Sequence, residues 1–107
     1  MYSLVERDTI RSVQQNVKLV LSTPKGSDVH RPDFGSDLWR FIDQPLNAIT
    51  LGRIKAEITD AIETWEPRVK VLSVQVSRDY RSARLGIFVL LEIKELGETT
   101  EVRLWSL

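Results

Sequence analysis

The chain contains no cysteine. A disulfide framework and any thiolate metal site are therefore excluded, and the redox compartment is left open. Its single histidine, His30, leaves no Ser-His-Asp arrangement to be read. It also supplies no second nitrogen ligand for a zinc centre. Neither sign of charge is in excess, with 15 Lys plus Arg against 15 Asp plus Glu. That balance argues against a nucleic-acid-binding role, which shows as clustered basic excess. It also gives copies little mutual repulsion, which suits a protein destined for an assembly. No stretch approaches the roughly 20 apolar residues of a membrane span. The first eight residues carry charges where a signal peptide needs an apolar run. A chain made and kept in the cytoplasm, unless something carries it elsewhere, is the expectation. There is no internal repeat, no low-complexity tract and no glycine-rich phosphate cradle.

What remains is an ordinary globular composition, 42% apolar and 28% charged. A length of 107 residues suits a single domain, residues 1–107, with one core. Ile10, Val13, Val17, Val20 and Leu21 recur at helical steps. They predict an amphipathic helix from about Asp8, a possible cap, to Leu21; Ser3-x-x-Glu6 also fits a capping box that would start it sooner. Little precedes this helix, so contacts of a longer N-terminal arm are not expected. Pro24 and Gly26 forbid its continuation. The next fifteen residues, Ser22 to Ser36, form a loop longer than idle connections usually are. Phe34 is its expected anchor, Gly35 supplies an unusual backbone conformation, and Ser36 or Asp37 caps a short helix from Leu38 to Ile42.

Pro45 and Asn47 open a second long helix. Leu51, Ile54, Ile58, Ala61, Ile62 and Trp65 form its inner stripe, and Arg53, Lys55, Glu57, Asp60 and Glu63 face out. Pro67 stops it, since the residue before a proline is pushed out of the helical region. Three alternating runs follow: Leu72, Val74 and Val76; Leu85, Ile87, Val89, Leu91 and Ile93; and Thr100, Val102 and Leu104. Asp79 to Ser82 and Leu96 to Glu98 are short enough for antiparallel hairpins. The expected fold is α+β: two amphipathic helices and a short one packed on an antiparallel sheet of three or slightly more strands.

Two turn-rich, charged stretches bracket the second helix: Lys25-Gly26 with Arg31-Pro32-Asp33-Phe34-Gly35-Ser36-Asp37-Leu38, and Trp65-Glu66-Pro67-Arg68. Read from the residues alone, Glu66-Pro67-Arg68 is either a helix stop, with Arg68 on the terminal carbonyls, or a docking pair. In an extended segment, residues two apart point the same way, so Glu66 and Arg68 would offer an acceptor and a donor fork side by side. The Lys25–Asp37 loop is either a solvated loop pinned by Phe34 or a contact loop. As a set these residues resemble the small wedge subunit of contractile-tail baseplates, the GPW or lysozyme-like tail family, over nearly the whole chain from Ile10.

The resemblance implies a non-enzymatic component of a phage tail, tailocin or type VI-like machine. It would be made in the bacterial cytoplasm and built into a ring-like baseplate in several copies. It implies partner-binding roles for Glu66, Pro67 and Arg68 and for Lys25, Gly26, Pro32, Phe34, Gly35 and Asp37, facing other baseplate wedge proteins. It also implies strand addition by a sheath subunit at the last strand, through Thr99, Glu101, Val102, Arg103 and Trp105. That strand ends near the C-terminus and is expected to be an open edge. Phe88, Leu90 and Trp105 lie on the polar phases of their strands. They are covered either by the N-terminal segment or by a partner.

No cofactor and no metal are expected; Asp28, His30 and Asp33 are too few and too weak a set. The word lysozyme requires a test of the carboxylates. Glycosidases need two, held about 5–10 Å apart across a cleft, one with a raised pKa. Glu57, Asp60, Glu63 and Glu66, and Glu92, Glu95, Glu98 and Glu101, sit mostly at solvent-facing phases. A peptidoglycan-cleaving hydrolase and a stand-alone cytoplasmic adaptor of the same fold remain the alternatives.

Overall fold

The computed structural model describes residues 4–41, 43–79, 81–82 and 84–105. Helix α1 spans Leu4–Ser22, a 3-10 turn Leu38–Phe41, and helix α2 Ala48–Trp65; strands β1 Val69–Asp79, β2 Arg84–Ile93 and β3 Glu98–Trp105 follow. The sheet is an antiparallel meander in the order β1-β2-β3. The α+β reading thus holds, with both helices on one face.

Burial follows the sequence periodicities. Val13, Val17 and Leu21 of α1 meet Ile54, Ile58 and Ile62 of α2, and both sets close on Leu85, Ile87, Val89, Leu91 and Ile93 of the central strand. β2 carries the most buried side chains because it has neighbours on both edges and helices above it. The α2 start is as expected: the Asn47 side chain accepts from the Thr50 N–H at 2.9 Å, an N-cap that satisfies one of the orphan donors of the first turn. Its end is also as expected, with Glu66 extended at φ −133° ahead of Pro67.

Three boundaries differ from the sequence reading. Helix α1 begins at Leu4, so Asp8 lies inside it and caps nothing; Ser3 of the alternative capping box lies outside the described residues. The short helix is a 3-10 turn ending at Phe41, and Ile42 lies outside the described residues. In β1 the pairing slips between Val71 and Ser73, a bulge whose extra residue reverses which side chains face inward. Val69, Val71, Val74 and Val76 therefore pack on the core, while Leu72, expected inside, is exposed. Of the turn expected over 79–82, Tyr80 lies outside the described residues. Asp79 holds Arg81 N–H and the Ser82 hydroxyl at 3.0 and 2.9 Å. The β2–β3 turn carries Gly97 at φ +64°, the left-handed position a glycine fills without strain.

Candidate functional site

The segment after α2 is built around a buried carboxylate. Glu66 is 2% exposed, and its two oxygens accept from Arg68 Nε and Nη2, both at 2.7 Å. Asn16 Nδ2, from α1, donates to Glu66 Oε2 at 2.9 Å and to the Trp65 carbonyl at 3.1 Å. Arg68 Nη2 also reaches the Ser12 hydroxyl at 3.3 Å. Burial alone would raise the Glu66 carboxyl, but hydrogen bonds from Arg68 and Asn16 and the Arg68 charge outweigh it and hold the group below its ordinary value. The same pairing, against a smaller desolvation, raises Arg68.

Glu66 therefore does not stand outward beside Arg68, as an extended segment would place it. The two pair with each other across Pro67, and the carboxylate is closed to a partner. Arg68 remains partly open, with 36% of its side chain exposed, and Pro67 is exposed. Ser12 and Asn16 were missed in the sequence. Their signal is a polar pair four apart on one side of the α1 stripe, where it borders Val13 and Val17.

The loop after α1 is tied down from end to end. Ser36 is fully buried; its N–H donates to the Thr23 carbonyl at 2.9 Å and its hydroxyl to the Leu21 carbonyl at 3.2 Å. Gly35 lies at φ +114°, and a Cβ there would come within 2.1 Å of the Thr23 carbonyl oxygen. Only glycine fits where the loop's two arms touch. Gly26, at φ +87°, receives the return of the loop through its N–H to the Pro32 carbonyl at 2.8 Å, while Pro32 itself is exposed.

Phe34 anchors the loop as expected, 3% exposed. Its ring meets Trp65 edge-on at 5.0 Å between centroids, and the Arg31 guanidinium lies over it, 3.9 Å from the ring centre. Trp65 immediately precedes Glu66, so this aromatic pair joins two stretches whose ring residues lie 31 positions apart in the sequence. Lys25 reaches Glu57 at 3.4 Å and Asp37 at 3.8 Å, and Glu57 accepts the Asp37 N–H at 2.7 Å. Glu57, expected to face solvent, is instead half-buried beneath the loop, because that orphan N–H at the start of the 3-10 turn needs an acceptor. Asp28 accepts from the His30 N–H, the Arg31 N–H and Arg31 Nε. The His30 backbone bond first, with Arg31's contributions, lowers its pKa despite slight desolvation. It is a turn cap, and among the described residues no three His, Cys, Asp or Glu side chains cluster to hold a metal.

β3 lies at an edge of the sheet, but part of that edge is occupied. Gln14 of α1 donates to the Thr100 hydroxyl at 2.8 Å and the Glu101 carbonyl at 3.2 Å. In an antiparallel ladder, residues alternately direct both backbone groups to the neighbour and away from it. The bond from α1 marks the Glu101 carbonyl as turned away from β2, so Thr99, Glu101, Arg103 and Trp105 share the outward sense. Val102 has the opposite sense. It is buried opposite Val89 and pairs inward, which removes it from the edge set. On the sheet face away from the helices no described element covers Phe88, Leu90 or Trp105. α1 packs with α2 on the other face, so cover by this N-terminal helix is ruled out.

The one fully buried carboxylate among the described residues, Glu66, is shifted down by an arginine, the reverse of what a general acid requires. Seen against known proteins, residues 7–94 match the family model described as baseplate wedge protein gp25. The chain is 38% identical over 71 residues to baseplate protein W of Escherichia phage P2, a match covering 66% of this chain and 62% of that protein. Thus less than two thirds of that relative's length is spanned. A crystal structure from Geobacter sulfurreducens, named for a tail lysozyme, superposes with a TM-score of 0.80 at 29% identity, covering 98% of this chain and 92% of the other. A chain of the postcontracted pyocin R2 baseplate superposes with a TM-score of 0.66 at 30% identity, covering 76% and 81%. On the match over residues 7–94, the chain belongs to the baseplate wedge protein gp25 family.

Proposed function

We propose that this protein is a non-enzymatic structural component of a contractile-tail baseplate wedge. It presents the Lys25–Asp37 loop and the Pro67–Arg68 corner to neighbouring wedge proteins and offers the outer side of β3 to a sheath subunit. The single observation that carries this reading is how the polar groups are used. Glu66, Ser36, Asp37 and Glu57 are all engaged in fixing backbone and loop. The buried carboxylate, Glu66, is held below its ordinary value by Arg68 and Asn16, and the loop and corner are joined through Phe34 and Trp65. Display on backbone fixed in this way suits docking. The baseplate name of the phage P2 relative and the pyocin R2 likeness support a place among other baseplate proteins; several copies in a ring and synthesis in the bacterial cytoplasm belong to the same proposal. No described helix is long and apolar enough to cross a membrane.

Deleting the gene from a complete particle gene cluster and imaging the products tests this. Tubes or baseplate fragments without sheath are expected, restored by the gene in trans. Fully sheathed particles in its absence would refute the assembly role.

A further inference from the structure

The sheet face away from the helices carries a groove of about 480 Å³ near the β1–β2 end, lined on that face by Gln75, Ser77, Gly86, Phe88, Arg103 and Trp105. Its floor is Gly86. A Cβ there would stand 2.9 Å from both the Ser77 hydroxyl and the Trp105 ring, so the indole lies across the glycine. A slot is left between that ring and the side chains of Phe88 and Arg103, which sit opposite one another in the ladder. The Arg103 guanidinium is 5.0 Å from the Phe88 ring centre. Among the described residues it is the one ionisable side chain lining the groove, and no carboxylate of those residues pairs with it.

We propose that this groove receives an extended acidic segment of a neighbouring tail subunit, with an Asp or Glu on Arg103 and an apolar side chain in the slot beside Trp105. The inference rests on the reading of β3 as a docking edge and names the chemistry of what docks there. Charge complementarity argues for the acid: the Arg103 guanidinium, 5.0 Å from the Phe88 ring centre and with no carboxylate partner among the described residues, has a planar donor fork suited to one. Continuity with the free side of β3 argues for an extended chain. Arg103 and Trp105 direct their backbone groups outward, and side chains of an added strand stand about 5 Å from those of its neighbour on the same face. Arg103 and Trp105 are two residues apart, so the occupant carries its acid and its apolar residue two apart. Glu101 flanks Arg103 on the same face and disfavours a second acid there.

The test uses assembled particles with p-benzoylphenylalanine in place of Gln75, irradiated and analysed by mass spectrometry. The crosslinked segment is then made as a peptide and its affinity measured for the wild type, R103K, R103E, E101Q and E101P. A segment of another subunit with the acid-x-apolar spacing is expected. R103E should weaken it by about tenfold or more, R103K by less than R103E, since it keeps the charge and loses the planar fork, and exchange of the peptide's acid for lysine should restore binding to R103E. A crosslink to a second copy of this chain, or to a segment without an acid, overturns the proposal. Unchanged affinity in R103E with loss in E101P but not E101Q also overturns it and leaves strand addition standing. Loss in R103E with E101P unaffected supports the acidic occupant and refutes the strand-addition reading.

Discussion

Glu66 and Arg68 face each other across Pro67, both carboxylate oxygens taking guanidinium hydrogen bonds at 2.7 Å. Asn16 completes the set from a helix 50 residues earlier. This arrangement locks α1, the end of α2 and the start of β1 together.

Removing Arg68 leaves a buried carboxylate with Asn16 as its main side-chain partner. Arg68→Ala should therefore lower stability by about 2–3 kcal/mol, at the low end for a broken buried pair because Arg68 is partly solvated. An outward docking arginine would have changed partner binding alone. Thermal unfolding of the isolated domain separates the two, and a melting point within a degree of wild type would mean that the pair is not structural.

The same pair makes stability depend on acid. The folded pKa of Glu66 is lowered from about 4.5, so its contribution is fully present above that value and lost as pH falls through the lower, folded one. Denaturant unfolding between pH 2 and 7 should show a decline below about pH 4.5, the value the unfolded chain retains. Glu66→Gln should flatten that decline. An identical pH profile in the variant would contradict this origin.

The two loop glycines should differ sharply. At Gly26 nothing lies within 4 Å of an added Cβ, so Gly26→Ala meets only the left-handed backbone penalty, about 1–2 kcal/mol. At Gly35 the Cβ would collide with the Thr23 carbonyl, and Gly35→Ala should abolish cooperative folding or cost several-fold more. Equal melting points for the two variants would show that the loop closure is not as tight as described.

Purified protein should leave peptidoglycan intact in a turbidity assay, since burial at Glu66 is overridden by Arg68 rather than used to hold a proton. Clearance lost in Glu66→Gln with folding intact would reverse the reading.

Much of the fold was legible because it rests on local chemistry. Asn47 capped, Pro67 stopped, Phe34 anchored, and the β2 alternation named the core strand. What escaped depends on contacts distant in sequence. One extra residue at the β1 bulge sends Leu72 outward and Val71 inward, which alternation alone cannot reveal. Glu66 reads as a surface carboxylate until Asn16 and Ser12 are brought beside it. Glu57 reads as solvent-facing until the loop folds over it. Val102 and Glu101 look equivalent along an edge until the Gln14 bond fixes which backbone groups face outward.

The most direct measurement is residue-resolved amide exchange over residues 99–105, in the free protein and with the sheath subunit bound. The expected result in the free protein is an alternation, with Thr100, Val102 and Leu104 protected by β2 and Thr99, Glu101 and Arg103 exchanging fast. On binding, the fast amides should slow by a hundredfold or more, corresponding to about 2.7 kcal/mol of added protection. Full protection of all these amides in the free protein, or no change when the sheath subunit binds, would contradict a docking edge at β3.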